Sequence, residues 1–320
     1  MRPSLYERFK EMVLRWTVCT LLLTLSLQAT AYRKDVVPFG VKVNGIENRF
    51  AEFGIFATPG EILQLDLMDL DPANLEARFD ATPLQPAGNS LNLKMPPRAG
   101  THRLELTDRR TGSRMDLNVF VMWQHDGARD HSLNGYRIGQ YPRDPFRGLA
   151  VYNPPEAFIE VTRENAGLAV SPNFRLGQFV CKQGNGYPKY VVLRPQLLHK
   201  LETVLEALNA VNGNVTGLTI MSGYRTPNYN QAIGNGKYSR HVWGGAADVY
   251  VDDNSDGVMD DLNGDGKVTR ADSEWLARFV DSLERQGRFG DLIGGIGTYG
   301  STASHGPFVH VDARGYQARW

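Results

Sequence analysis

Cysteine is nearly absent, with two in 320 residues, Cys19 and Cys181. A disulfide scaffold is therefore excluded, and the fold must rest on its core or on bound metal. Charge of one sign is missing too: 35 Lys and Arg balance 35 Asp and Glu. Nothing in that balance suggests a nucleic-acid or polyanion binder, which needs a basic excess. Beyond the first 31 residues no apolar run approaches the roughly 20 residues that span a bilayer. Repeats at solenoid periods and low-complexity tracts are also lacking. The sequence has no His-Glu-x-x-His helix, so the commonest metalloprotease design is absent. What is present is an ordinary globular composition, 42% hydrophobic, over a length that suggests two domains.

The neutral total is unevenly distributed. Arg2, Arg8, Lys10 and Arg15 outnumber Glu7 and Glu11 ahead of an apolar stretch from Trp16 to Leu27, which ends in Ala29-Thr30-Ala31. A cationic start, a short apolar segment and small residues form the pattern of a secretory signal peptide over residues 1–31, with cleavage after Ala31. The alternative is a membrane anchor, but about 12 apolar residues are too few to span a bilayer. Cleavage removes Cys19 and leaves Cys181 unpaired. The mature protein is expected in the periplasm or outside the cell, without stable membrane insertion.

Residues 36–124 read as a small all-β, sandwich-like domain. Short alternating runs such as Glu61-Ile-Leu-Gln-Leu-Asp-Leu and Met115-Asp-Leu-Asn-Val-Phe-Val are punctuated by Pro59-Gly60 and by Pro96-Pro97. Nothing there assembles a reactive constellation. Such a domain could orient its neighbour or contact a partner, and the sequence does not choose between these. Residues 125–167, rich in Pro, Gly, Asn and Arg, read as a linker.

From residue 168 to 320 the pattern is an α+β domain, a central antiparallel sheet with flanking helices. Pro195 opens a helix with Leu197, Leu198, Leu201, Val204, Leu205 and Leu208 on one face. A second helix is predicted over Ser273 to Arg285, with Trp275, Leu276, Phe279, Val280 and Leu283 on its apolar face. Strands are predicted at Leu218 to Ser222, Ala246 to Val251, Ile296 to Tyr299 and Phe308 to Asp312.

The chemistry gathers on these strands. Alternation puts Ala246, Asp248 and Tyr250 on one face, while Phe308, His310 and Asp312 share a face of theirs. If the two strands pair, Asp248 meets His310, and His241 reaches both from the loop before Gly244-Gly245. Two imidazoles and one carboxylate leave a fourth position open, as catalytic zinc requires. Zinc would lower the pKa of a water in that position to about 7 and polarise a carbonyl, two steps of amide hydrolysis. The competing reading is that these are ordinary structural histidines, the reading adopted for His102, His125, His131 and His199.

Ser222-Gly-Tyr-Arg-Thr-Pro-x-Tyr-Asn230, Ser239-x-His-x-x-Gly-x-Ala-x-Asp248, Gly297-x-Tyr299 and Phe308-Val-His-x-Asp-x-Arg314 follow one another in the order of a known family. They resemble the zinc D-Ala-D-Ala carboxypeptidases and endopeptidases of the M15 peptidase type, which cut peptidoglycan stem peptides. Ser171-Pro-Asn-Phe-Arg-Leu-Gly-Gln-Phe179 is similar to that family's opening segment. The resemblance implies zinc on His241, Asp248 and His310. It implies that Arg225 stabilises the attacked carbonyl or holds a substrate carboxylate, which suits a permanently charged fork; a structural ion pair is the alternative. Tyr224 and Ser239 are substrate-positioning candidates, Ser239 equally a loop cap. Relatives often carry His or Glu as general base two residues before the last ligand, where this chain has Phe308. Asp312 and His305 are the replacements to weigh, Asp312 slightly ahead, although it could equally orient a ligand imidazole.

A second metal signature lies within residues 252–272, where seven Asp face Lys267 and Arg270, a local net of minus five. Asp261, Asn263, Asp265, Lys267 and Asp272 fall at positions 1, 3, 5, 7 and 12 of an EF-hand-like loop, with Gly266 at its turn. Asp252, Asn254 and Asp256 begin a weaker overlapping copy. Structural calcium is expected here; a solvated acidic loop is the alternative. The resulting expectation is an exported zinc peptidase acting on peptidoglycan peptides. The alternative is a binding protein that keeps the zinc fold without turnover.

Overall fold

The computed structural model describes residues 32–320, so the predicted signal peptide lies outside the described residues. The protein is sheet-rich, with three helices among those residues. The first part holds a four-stranded sheet, in the order 46–50, 36–43, 62–68, 90–94, and a five-stranded sheet, in the order 52–57, 114–121, 100–108, 75–79, 82–84. Alternation explains their faces: Leu63, Leu65 and Leu67 are buried, while Ile62 and Gln64 are exposed. Pairing is not wholly antiparallel, because Glu52–Ala57 runs parallel to Arg114–Val121.

The segment read as a linker is part of the core. Ala157–Val161 pairs with Trp123–Gln124 on one side and Lys189–Val191 on the other. Tyr141 and Tyr152 are buried edge-on against Trp243. Its Pro and Gly content reflects turns between short buried pieces. The first part also packs directly on the second, with Phe50 stacked on His199 of the first long helix and Phe53 tilted against the same ring.

The second part is built on a five-stranded sheet. Its order is Thr219–Ser222, Ala246–Tyr250, Phe308–Asp312, Gly295–Tyr299, Ala318–Arg319. The first four strands are antiparallel to their neighbours, and the last runs parallel to Gly295–Tyr299. Thr219–Ser222 is an edge strand and only half-buried, not the fully buried strand its apolar residues suggest. The helix Pro195–Val211 begins on its proline, as expected. The last helix begins at Arg270, three residues before the predicted start, because Thr269 and Asp272 form a capping box. A short helix, Pro227–Ala232, capped by the Thr226 hydroxyl, occupies what reads in sequence as a turn. Among the described residues no helix is long and apolar enough to cross a membrane.

Candidate metal centre

Strand register makes the site. Asp248 and His310 are directly opposed Cα partners on adjacent antiparallel strands, so their side chains leave the same face. His241 arrives from the single 3-10 turn Arg240–Trp243, which Gly244 ends in the left-handed region at φ 63°. A Cβ at Gly244 would lie 2.0 Å from the Val192 carbonyl oxygen, so only glycine lets the chain turn here onto the Asp248 strand.

His241, Asp248 and His310 are all buried, and their ligand atoms lie within 4.8 Å of one another. His241 Nδ1 sits 2.6 Å from the Gly223 carbonyl oxygen, which can only accept, so Nδ1 carries the proton. His310 Nε2 sits 3.0 Å from Asp312 and donates to it. The bare nitrogens, His241 Nε2 and His310 Nδ1, are therefore turned inward, 3.0 Å apart. Asp248 Oδ1 lies 3.0 Å from the first and 3.1 Å from the second. Three lone-pair atoms facing one another demand a proton or a cation between them. Tetrahedral zinc with bonds of about 2.0–2.1 Å separates its ligands by roughly 3.3 Å, so the donor set fits the metal.

Electrostatics follow the same arrangement. Burial opposes ionisation of Asp248, yet His241 and His310 hold its carboxyl well below the usual carboxylate range. Burial pushes His241 down, favouring the neutral imidazole that a metal ligand needs. Burial would also lower His310, but its hydrogen bonds to Asp248 and Asp312 outweigh it and raise its value.

Arg225 bonds Asp248 through one terminal nitrogen, and its Nε donates to Ser222 Oγ at 2.8 Å. It is thus an ion-pair partner of the metal group and also part of the wall of a cleft of about 940 Å³. Ser239 lines the same cleft and makes no capping bond. His305 lines it as well, standing edge-on to Phe308 with ring centroids 5.0 Å apart.

Two expectations change. Asp312 is fully buried and has no oxygen to spare. It accepts from His310, from Arg314 through Nε and a terminal nitrogen, and from the Gly295 amide at 2.9 Å. Burial works against its charge, but His310 and Arg314 keep its carboxyl far below the range of a general base. It orients His310. Tyr224, expected at the substrate, is 1% exposed and does not line the cleft. Its hydroxyl meets that of Tyr141 at 2.9 Å, because alternation past Gly223 sends Tyr224 into the core and Arg225 outward.

The acidic loop forms two copies of one geometry. Asp261 accepts from the amides of Asp265 and Gly266, and Asp252 likewise from Asp256 and Gly257. Asn263 and Asn254 each accept from the amide two residues on. Asp272, however, is turned to the backbone, accepting from Leu262, Asn263 and Thr269. Among the described residues only His241, Asp248 and His310 form a convergent acidic or imidazole group of three. Lys267 is exposed, its amide bonded to Asp265.

Sequence reading missed Trp320. Its ring lies 5.0 Å from that of His310, and its indole N–H donates to Tyr299 at 2.7 Å. Gly297 makes the space, since a Cβ there would sit 2.4 Å from the indole nitrogen. A glycine inside a strand signals such an approach, and Gly297 was the available clue.

A search of the curated proteins finds no match to this chain. Residues 172–266 match the family model described as Peptidase M15, a span that holds Arg225, His241 and Asp248 and stops short of His310. The match to that segment, together with a buried His-Asp-His group that could hold a metal, supports a peptidase of the M15 family.

Proposed function

We propose that this protein is an exported zinc metallopeptidase that hydrolyses peptide bonds in peptidoglycan stem peptides or cross-links. The observation that carries the reading is the His241–Asp248–His310 group at a cleft wide enough for a peptide, with Arg225 beside it. His241 Nε2, Asp248 Oδ1 and His310 Nδ1 would hold the zinc, which supplies Lewis acidity to a carbonyl and lowers the pKa of water. Arg225 keeps an NH1 group without a protein acceptor among the described residues and can donate to an oxyanion or a substrate carboxylate. Asp312 fixes the tautomer of His310. His305, with a ring nitrogen unoccupied by protein in the cleft, is the group placed to move a proton. Ser239 can position the peptide.

Export rests on the pattern of residues 1–31. The repeated Asp-x-Asn-x-Asp-Gly sequence is what motivates calcium as a structural ion in the acidic loop, with Asp272 serving the helix cap instead of the ion. One observation favours the second reading, a binding protein without turnover: Phe308 is stacked on Tyr299 at the position where members of the resembled family often carry a base. Digestion of purified sacculi with mass identification of the released muropeptides decides between the two. Release of cleaved peptides supports the enzyme; sacculus binding with no product from any bond type overturns it.

A further inference from the structure

A second groove opens next to the metal cleft and shares Asn235 and Lys237 with it. Its volume is about 580 Å³, within the roughly 300–1,000 Å³ of ordinary small-molecule sites. The segment 131–142 and the short helix Pro227–Ala232 form its walls. They are locked together, because the Asn228 amide donates to the Ile138 carbonyl at 3.1 Å. Gly139, at φ 84°, permits the approach: a Cβ there would lie 2.6 Å from that amide nitrogen. The groove is thus shaped before any ligand arrives.

Three side-chain amides on these walls have their NH2 ends spent on protein acceptors. Gln140 Nε2 donates to the Ala128 carbonyl at 3.0 Å, and Asn230 Nδ2 to the Asn235 and Gly236 carbonyls at 3.3 and 3.0 Å. Asn228 Nδ2 donates at 2.9 Å to the side-chain oxygen of Gln183, whose own NH2 is held by the Arg137 carbonyl. Carbonyls only accept, so the chain fixes which end of each amide is left over. The three amide oxygens have no protein donor among the described residues. That of Asn230, a residue only 1% exposed, is buried without a partner. An unmet buried acceptor is destabilising, and a donor arriving there recovers the loss.

No carboxylate lines the groove, and Arg137 and Lys237 are exposed along it. They disfavour a cationic ligand and offer donors to a carbonyl oxygen, while Pro142 and Pro227 offer apolar contact. Sugars match this set: several hydroxyls donate from one ring, C–H faces pack on proline, and an acetamido oxygen accepts from the cations. A peptide main chain offers one N–H per residue, fewer donors for the same space. We infer that this groove is a glycan subsite, taking an N-acetylated, hydroxyl-rich sugar on the acceptors of Gln140, Asn228 and Asn230. Binding itself does not depend on the peptidase reading. Its use rests on that reading, since a sugar here and a peptide in the metal cleft lie side by side.

The test titrates the mature chain with a short chitin oligosaccharide, which carries N-acetylglucosamine and no peptide, by calorimetry and by amide NMR shifts. Saturable binding is expected, with shifts centred on residues 131–142 and 227–235. Gln140→Ala with Asn228→Ala should weaken it about tenfold. Gln231→Trp, an exposed change on the groove wall that leaves the core untouched, should block it with the melting temperature unchanged. No saturable binding, shifts confined to the metal cleft, or affinity unaffected by both variants overturns the inference. So does a sugar-free stem peptide that fills the groove in place of the oligosaccharide. Cleavage of free stem peptides without sugar binding removes this inference and leaves the peptidase standing. Sugar binding with no cleavage of any peptide bond does the reverse.

Discussion

His310 donates its Nε2 proton to Asp312 across 3.0 Å, and Arg314 holds Asp312 from the other side. The pair decides which nitrogen of His310 faces Asp248 and His241. A carboxylate in this position acts through the imidazole it orients, and its loss is felt in metal affinity before it is felt in proton transfer.

Asp312→Asn is therefore expected to weaken zinc binding by about 10- to 100-fold, measured by chelator competition. If Asp312 were the general base, zinc affinity would hold and only kcat would fall. Unchanged affinity with a collapsed kcat would return Asp312 to that role.

The pH dependence has a definite sign. His310 is raised in the fold, so its proton stabilises the metal-free protein below the ordinary histidine value and is lost as pH rises through the folded value. Asp248 is depressed, so its contribution is present above the ordinary carboxylate value and is lost only as pH falls through its lowered one. Zinc must displace the His310 proton, so zinc affinity should rise about tenfold per pH unit until that proton is gone. Zinc titrations across the weakly acidic range would show this; a flat profile there would mean His310 is already neutral.

Much of the site was legible because strand geometry has a period of two. Once Ala246–Tyr250 and Phe308–Asp312 are read as neighbours, Asp248 and His310 must share a face, and the register places them opposite. The same alternation, applied through the turn at Gly223, would have sent Tyr224 inward, but the turn hides where the strand pattern ends. Asp312 was ambiguous because sequence shows a carboxylate and not its partners, and Arg314 lies only two residues away. The residues 125–167 misread as linker fail for a different reason. Their strands are too short for periodicity, and Tyr141, Tyr152 and Phe158 are buried by partners far along the chain. Trp320 follows a two-residue strand, Ala318–Arg319, too short to leave any pattern.

Gly244→Ala should be severely destabilising. A left-handed backbone costs an ordinary residue about 1–2 kcal/mol, and the clash with the Val192 carbonyl adds to it, so a loss above about 3 kcal/mol in chemical denaturation is expected. Gly213→Ala, where a Cβ meets nothing within 4 Å, is the control and should stay within about 0.5 kcal/mol.

The two proposed metals should separate. His241→Ala removes a zinc ligand that shares no hydrogen bond with the acidic loop, so zinc should lose its stabilising effect on the melting temperature while calcium keeps any effect it has. If selective calcium chelation leaves the melting temperature of the natural chain unmoved, the Asp252 and Asp261 loops are solvated turns, held by their own amide bonds.

His305 carries the last prediction. Phe308 cannot move a proton, Asp312 is committed to His310 and Arg314, and Asp248 is committed to Arg225 and the metal group. Of the groups in the cleft, His305 alone is a half-buried imidazole outside that network, its Nδ1 set against the Gly306 carbonyl at 2.8 Å, which leaves Nε2 for a substrate or water. General base or acid catalysis contributes about 10²- to 10⁴-fold, so His305→Gln should lower kcat on a cleaved muropeptide by that order. Zinc content and melting temperature should not change, because His305 makes no bond to the ligands or the core beyond its edge contact with Phe308. A small change in kcat would leave the protein without a side-chain base in the cleft and would shift the balance toward the binding reading.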